Sequence, residues 1–309
     1  MTVITTVLPV FFMLGMGILA HRKNIVTEEQ KAGVSAVIFN LLFPILIFHL
    51  ILTAEVSISH LYVILYMIAA YVLALIIGKL LGKFTGEKYA HFSNFLLPVH
   101  EGGSVALPLY LSLVGTSSNT VIFDIAGMTT TFVIFPILLE RLTSESSDPK
   151  QLVRNIFTNS FVIAVIAGLA LNLSGFHAFF ASTPAYEAYT AAVTMAISPI
   201  TAMILFTIGY DLKIEKDMIR PLAKLIAVKT VYYALILAGM ALLFKDLMSD
   251  TKFMIAALIY LMSPTGFIVP TLITPLYRSS EDSAFASAFT SLYIVVTLIV
   301  YIAAVLFIA

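Results

Sequence analysis

The sequence contains no cysteine, no tryptophan and few charged residues among its 309 positions. Without cysteine, disulfide bonds and thiolate metal sites are excluded. Charged residues make up only 11% of the chain, whereas a soluble domain carries about a quarter. The formal net charge is zero, so we expect no nucleic-acid partner. Phosphate-binding loops, His-Glu-x-x-His motifs and arginine-rich helices are also missing. We therefore expect a protein that is not an enzyme and needs no cofactor or metal.

Hydrophobic residues make up 60% of the chain and form about ten apolar stretches long enough to span a bilayer. These stretches fall at about 2–20, 33–53, 59–81, 90–114, 121–140, 155–174, 188–210, 222–244, 252–275 and 284–308. We therefore predict an all-α polytopic membrane protein that has the lipid bilayer as a partner. The first stretch has no basic region before it and no cleavage site, so we expect it to be retained.

The basic residues indicate how these spans are oriented. Of the 17 lysines and arginines, all except Lys245 and Lys252 fall on one side of the predicted topology. Cytoplasmic loops carry an excess of Lys and Arg, so this side is predicted to be cytoplasmic. We expect a multi-pass protein of the cell (plasma or inner) membrane whose N-terminus and C-terminus are both extracytoplasmic.

The ten predicted spans divide into two groups of five. The longest cytoplasmic connection, residues 141–150, lies at the midpoint and separates a first repeat (1–145) from a second (146–309). Because five is odd, the second repeat must enter the membrane from the opposite side. An inverted repeat of this kind is a common plan among secondary transporters.

Two spans in corresponding positions are interrupted near their centres. Span 4 contains Pro98-Val-His-Glu-Gly-Gly-Ser-Val-Ala-Leu-Pro108, and span 9 contains Met262-Ser-Pro-Thr-Gly-Phe-Ile-Val-Pro270. Proline removes an amide donor and displaces the carbonyl four residues earlier, so each span should split into two half-helices. If the two spans cross, the half-helix ends could hold a carboxylate at mid-membrane, which makes this junction the predicted binding site.

The predicted substrate or ion site consists of Glu101, His100, Gly102, Gly103, Ser104, Ser263, Pro264, Thr265, Gly266 and Asn40. The predicted helix breaks lie at Pro98, Pro108, Pro264, Pro270, Pro44 and Pro199. Glu101 is the main candidate for a proton or cation site, since it is the only acidic residue predicted near mid-membrane. The alternative for Glu101 is a neutral, locally hydrogen-bonded carboxyl, and the alternative for His100 is a packed histidine.

Asp124 and Lys229 are secondary candidates. Asp124 falls three residues into span 5, so we expect it near the outer surface, where a negative charge stabilises a helix N-terminus. Lys229 falls about two turns into span 8, and a lysine at that depth can extend its amino group to the cytoplasmic face. A substrate or ion-pair role for Lys229 is the other interpretation.

The sequence resembles the auxin efflux carrier family, in particular the bacterial branch with malonate and malate permeases. The resemblance rests on Leu8-Pro-Val-Phe-Phe-Met-Leu-Gly-Met-Gly17, Phe39-Asn-Leu-Leu-Phe-Pro44 and Gly102-Gly-Ser-Val-Ala-Leu-Pro108, with Pro264 and Pro270. Many relatives have an asparagine-containing motif in span 4, where this chain has His100 and Glu101. The resemblance implies a fold related to bile-acid symporters and sodium/proton antiporters, with spans 4 and 9 crossing in a mobile transport domain. Scaffold and transport domains would each draw on both repeats.

From these features we predict a secondary active transporter of a small organic anion, a mono- or dicarboxylate. Glu101, with or without His100, would bind a coupling proton, and alternating access would be of the elevator type. The alternative is a uniporter or a Na⁺-coupled carrier in which Glu101 ligates the ion. A different class is a sensor or structural membrane module without transport. The related fold often dimerises through the scaffold, so a homodimer is also expected from the resemblance.

Overall fold

The chain is helical in a computed structural model that describes residues 3–53, 58–114, 119–143, 150, 154, 158, 160–211 and 216–308. No strand occurs among these residues. The chain forms two compact units. Unit 1 comprises Met1–Pro9, Ser59–Ser147 and Asp211–Ala309, and unit 2 comprises Val10–Ile58 and Asp148–Tyr210. Each unit therefore takes segments from both halves of the sequence, whereas the division into repeats 1–145 and 146–309 stays a prediction.

The α-helices are, in chain order, α1 (Val3–Arg22), α2 (Glu28–Val37), α3 (Phe43–Thr53), α4 (Ile58–Leu80), α5 (Gly82–Gly86), α6 (Leu107–Val114), α7 (Asn119–Thr129), α8 (Phe135–Thr143), α9 (Ser160–Leu173), α10 (Phe176–Ala181), α11 (Ala185–Ile197), α12 (Ile200–Asp211), α13 (Ile219–Leu243), α14 (Lys245–Ser249), α15 (Thr251–Leu261), α16 (Val269–Leu272) and α17 (Ser280–Ile308). Short 3₁₀ turns lie at Glu87–Tyr89, Ser93–Leu96, Lys216–Met218 and Thr274–Leu276.

Four of these helical regions are long and apolar enough to cross a membrane: Glu28–Thr53, His60–Leu80, Lys216–Leu243 and Ser280–Leu306. Shorter apolar helices occur at Phe11–Arg22, Val162–Leu173 and Thr251–Leu261. The predicted all-helical membrane class agrees with this architecture. The count of ten spans, their inverted repeat and the crossing of spans 4 and 9 stay predictions.

Among the residues that the structure describes, wide π-helical turns occur at three places, and each precedes a proline by two residues. The turns are Ile38–Leu42, Gly102–Ala106 and Thr130–Ile134, and the prolines are Pro44, Pro108 and Pro136. Each turn closes through a bond between residues five apart, as where the Leu107 N–H donates to the Gly102 carbonyl. Because proline has no N–H and displaces a carbonyl in the preceding turn, the helix widens there.

Unit 2 contains a close contact between α1 and α12 that depends on glycine. A Cβ atom on Gly17 would lie 2.0 Å from the Phe206 carbonyl oxygen, and one on Gly209 would lie 2.0 Å from that of Leu14. Both distances are far below van der Waals contact, so only glycine lets the two backbones approach this closely. By contrast, a Cβ on Gly15 would meet no atom within 4 Å.

Candidate functional site

Two non-helical segments of unit 1 contact each other directly. The first break, residues 97–101, separates the 3₁₀ turn Ser93–Leu96 from the wide turn that leads into α6. The second break, residues 262–268, separates α15 from α16. The Glu101 N–H donates to the Pro264 carbonyl at 2.8 Å, and the Phe267 N–H donates to Glu101 Oε2 at 2.7 Å. Glu101 therefore joins the two breaks through both its backbone and its side chain.

The backbone of the first break is tightly folded. Val99 adopts a positive φ of 57°, a conformation that β-branched residues rarely enter. Glu101 has φ −82° and ψ 87°, and the Gly102 N–H donates to the His100 carbonyl at 3.1 Å, which together form an inverse γ-turn. The positive φ of Val99 costs about 1–3 kcal/mol and persists only where the surroundings hold it. The strained residue lies two positions before Glu101.

Lys229 of α13 lies at the same junction and is fully buried. Its ammonium donates to the Thr265 hydroxyl at 2.7 Å and to the Val99 and Leu96 carbonyls at 3.3 and 3.4 Å. The Thr265 hydroxyl in turn donates to the Leu96 carbonyl. The expectation that this lysine extends to the cytoplasmic face is therefore wrong, because the carbonyls released by the first break hold the amino group inside.

Aromatic side chains surround His100. Its ring centroid lies 4.2, 5.6 and 5.8 Å from those of Tyr233, Tyr260 and Tyr71, and its Nδ1 lies 3.4 Å from the Tyr71 hydroxyl. His100 Nε2 is buried and has no hydrogen-bond partner in the described part of the chain. The same holds for the hydroxyls of Tyr233 and Tyr260. Buried polar atoms are normally paired, so these are candidates for contact with a small polar ligand or water.

Asp124 is a second acid in this region. It is 7% exposed, and its Oδ1 lies 1.6 Å from where a Cβ of residue 102 would stand. Because Asp124 packs against the residue after Glu101, the expectations that Asp124 lies near the outer surface and that Glu101 is the only acid near mid-membrane do not both hold. The packing of α7 against the wide turn Gly102–Ala106 carries Asp124 inward. The position of Asp124 in the sequence could not show that it lies at the junction. The one indication was an aspartate inside an apolar helix, one turn before Gly127.

The remaining predicted residues divide between the two units. Ser263, Pro264, Thr265 and Gly266 lie in the second break, all buried, and Gly103 lies buried in the wide turn. Pro98 lies in the first break, and Pro108 and Pro270 are the second residues of α6 and α16. The side chains of Ser104 and Pro108 are outside the described part. Asn40, Pro44 and Pro199 belong to unit 2, and the Asn40 side chain is exposed. A role of Asn40 in binding therefore stays a prediction.

Within the described residues, no group of three or more His, Cys, Asp or Glu side chains is arranged to hold a metal ion. The junction instead offers one buried ammonium, two buried carboxyls, an imidazole and several tyrosines. Such a set can bind and release protons and can hold a small charged solute, because opposite charges and hydrogen-bond partners offset the cost of burial.

Two comparisons with known proteins bear on this chain. A family model described as membrane transport protein matches residues 2–302. The search of curated proteins gave no match. The matched residues include both breaks, Asp124 and Lys229.

Proposed function

Because the chain belongs to the auxin efflux carrier family of membrane transport proteins, we propose that it carries a small organic anion together with a proton. The family is one of membrane transporters rather than enzymes. The substrate class, the coupling ion and the elevator movement are our proposals. They rest on the chemistry of the junction and on the family resemblance. The narrower assignment to the malonate and malate permeases stays a prediction.

One contact carries the proposal of proton coupling, namely the bond from the Phe267 N–H to the Glu101 carboxylate. A backbone N–H that binds one carboxylate can bind another, so an ionised Glu101 competes with a substrate carboxylate for this donor. Protonation removes the charge from Glu101 and weakens its hold on the Phe267 N–H. The anion then takes that place, and proton and anion move together.

Lys229 supports a proton rather than Na⁺ as the coupling ion. Its ammonium already donates to the carbonyls of Leu96 and Val99, oxygens of the kind that would ligate a bound Na⁺. The same positive charge favours an anionic substrate. A Na⁺-coupled carrier or a uniporter is the competing form of this proposal.

We further propose that unit 1, which contains the junction, acts as the mobile transport domain and unit 2 as the scaffold. The division of the chain into two compact units, each drawn from both sequence halves, supports this assignment. The elevator movement and a homodimer formed through the scaffold follow from the family resemblance.

The test is uptake of radiolabelled mono- and dicarboxylates into proteoliposomes, with and without an inward proton gradient. We expect the gradient to stimulate uptake by the wild type and to have no effect on Glu101→Gln, because glutamine cannot release the Phe267 N–H by taking up a proton. Glu29→Gln, an exposed position, is the matched control. Stimulation that persists in Glu101→Gln would remove Glu101 from the coupling mechanism. Stimulation by a Na⁺ gradient instead would establish the competing form.

A sensor or structural module is distinguished by ligand binding. A transporter should gain thermal stability from its substrate by mass action, whereas a structural module should respond to no carboxylate.

A further inference from the structure

Glycine at position 102 lets the Asp124 carboxyl pack against the residue that follows Glu101. A Cβ atom on residue 102 would lie 1.6 Å from Asp124 Oδ1 and 2.6 Å from Tyr260 Cε2. Any side chain at this position would therefore expel the aspartate, and glycine leaves it packed against the backbone of Glu101's neighbour. The two acids come from different segments of the chain, and Asp124 can approach the residue after Glu101 this closely only because residue 102 has no side chain.

The Asp124 carboxyl has an oxygen for which its own helix supplies no hydrogen-bond partner. Its Oδ2 is buried without a hydrogen-bond partner in the described residues, as is the Tyr260 hydroxyl. That hydroxyl lies 3.0 Å from where a Cβ of Gly127 would stand, and Gly127 follows Asp124 by one turn of α7. Tyr260 therefore lies over the helix face that carries Asp124, where it is placed to share a proton or a small ligand with it.

The charges around Asp124 determine how many protons the group holds. Three titratable side chains lie near enough to interact with Asp124: Glu101 of the first break, Tyr71 of α4 and Tyr260 of α15. His100, Tyr233 and Lys229 lie close to one another at the same junction. Two carboxylates buried near each other would both carry a negative charge, which burial makes costly.

We propose that Asp124 and Glu101 form an acid pair that shares one proton. The pair takes up this proton when the substrate anion binds and gives it up when the anion leaves, so one proton moves with each anion. This inference rests on the proposed function, since it assigns Asp124 as the partner in the coupling step.

Infrared spectroscopy of the purified protein tests the pair without any transport assay. We expect the wild type to show the C=O band of a protonated carboxylic acid at neutral pH. The band should be absent from both Asp124→Asn and Glu101→Gln, because the remaining carboxyl no longer lies near a second acid and can ionise. Asp217→Asn, at an exposed position, is the matched control.

A band that survives in Asp124→Asn, or no band in the wild type, overturns the pair. The wild-type spectrum alone still decides the question if a variant does not fold.

In proteoliposomes, Asp124→Asn should keep proton-stimulated uptake, but the midpoint of the pH dependence of uptake should move by about one pH unit or more toward acid. Gly102→Ala should reproduce that shift by displacing Asp124, with Gly33→Ala as its control. An unshifted midpoint contradicts the pair and leaves the proposed function intact, whereas an intact band with no uptake of any carboxylate contradicts only the proposed function.

Discussion

Replacing Lys229 with methionine tests the central contact of the junction. Methionine keeps most of the length and apolar volume of the lysine side chain but removes the ammonium. The change deletes the 2.7 Å bond to the Thr265 hydroxyl and the longer bonds to the Val99 and Leu96 carbonyls. It also removes the positive charge held 5.3 and 5.7 Å from the ring centroids of Tyr293 and Tyr233.

The expected cost follows from which atoms lose their partners. The Leu96 carbonyl still accepts a bond from Thr265, so it stays paired. The Val99 carbonyl loses the donation from Lys229, and a buried unsatisfied acceptor costs about 1–3 kcal/mol. The lost charge-assisted bond to Thr265 adds about 1.5–3 kcal/mol, partly offset because an ammonium no longer has to be buried. We therefore expect a net destabilisation on the order of 2–4 kcal/mol.

The assay must suit a chain without tryptophan or cysteine, which excludes tryptophan fluorescence and thiol-reactive dyes. Thermal unfolding in detergent followed by far-ultraviolet circular dichroism meets this condition. A loss of 2–4 kcal/mol should lower the midpoint by about 3–6 °C in a chain of this size. Lys79→Met, at an exposed position in α4, should leave the midpoint nearly unchanged. If Lys229→Met unfolds at or above the wild-type temperature, the ammonium does not stabilise the junction and the inferred bonding is refuted.

Two further predictions concern other parts of the chain. Gly17→Ala should destabilise unit 2 by about 1–3 kcal/mol, because the added methyl group would overlap the Phe206 carbonyl oxygen. Gly15→Ala in the same helix should be tolerated, because its methyl group would meet no atom within 4 Å. Thermal unfolding followed by circular dichroism compares the two variants, and equal midpoints would contradict the close helix contact. In the cysteine-free background, Lys245→Cys should react with a membrane-impermeant maleimide in intact cells and Lys23→Cys only after permeabilisation, and the reverse pattern would overturn the predicted orientation.

The sequence was informative where the signal was local. Prolines and glycines in spans 4 and 9 predicted interruptions, and the structure places non-helical segments at residues 97–101 and 262–268. The hydroxyls of Thr129 and Thr130 donate to the carbonyls of Ile125 and Ala126 in the preceding turn, as threonine hydroxyls in apolar helices commonly do. These features depend on the backbone chemistry of neighbouring residues, which a sequence states directly.

The positions of Asp124 and Lys229 could not be predicted in the same way. Each lies in a helix far along the chain from residue 101, and its neighbours are decided by helix packing rather than by spacing. Lys229 was judged by its depth from the end of its span, although its hydrogen-bond partners lie in two other segments. Burying a charged residue deep in an apolar helix costs the least free energy where carbonyls without helical partners can accept hydrogen bonds from it. The lysine and the two broken helices should therefore have been interpreted together.

The wide turn at Gly102–Ala106 also bears on how sequences of this family should be aligned. A five-residue turn holds one residue more than the α-helical turn that it replaces, while the helix axis continues into α6. A deletion of one residue here would restore a regular helix and rotate everything before it by about 100° relative to α6. That rotation would move the Glu101 carboxyl away from the Phe267 N–H without replacing any residue of the site. A one-residue gap in this stretch of a relative would therefore mark a different binding chemistry, even where every neighbouring letter agrees.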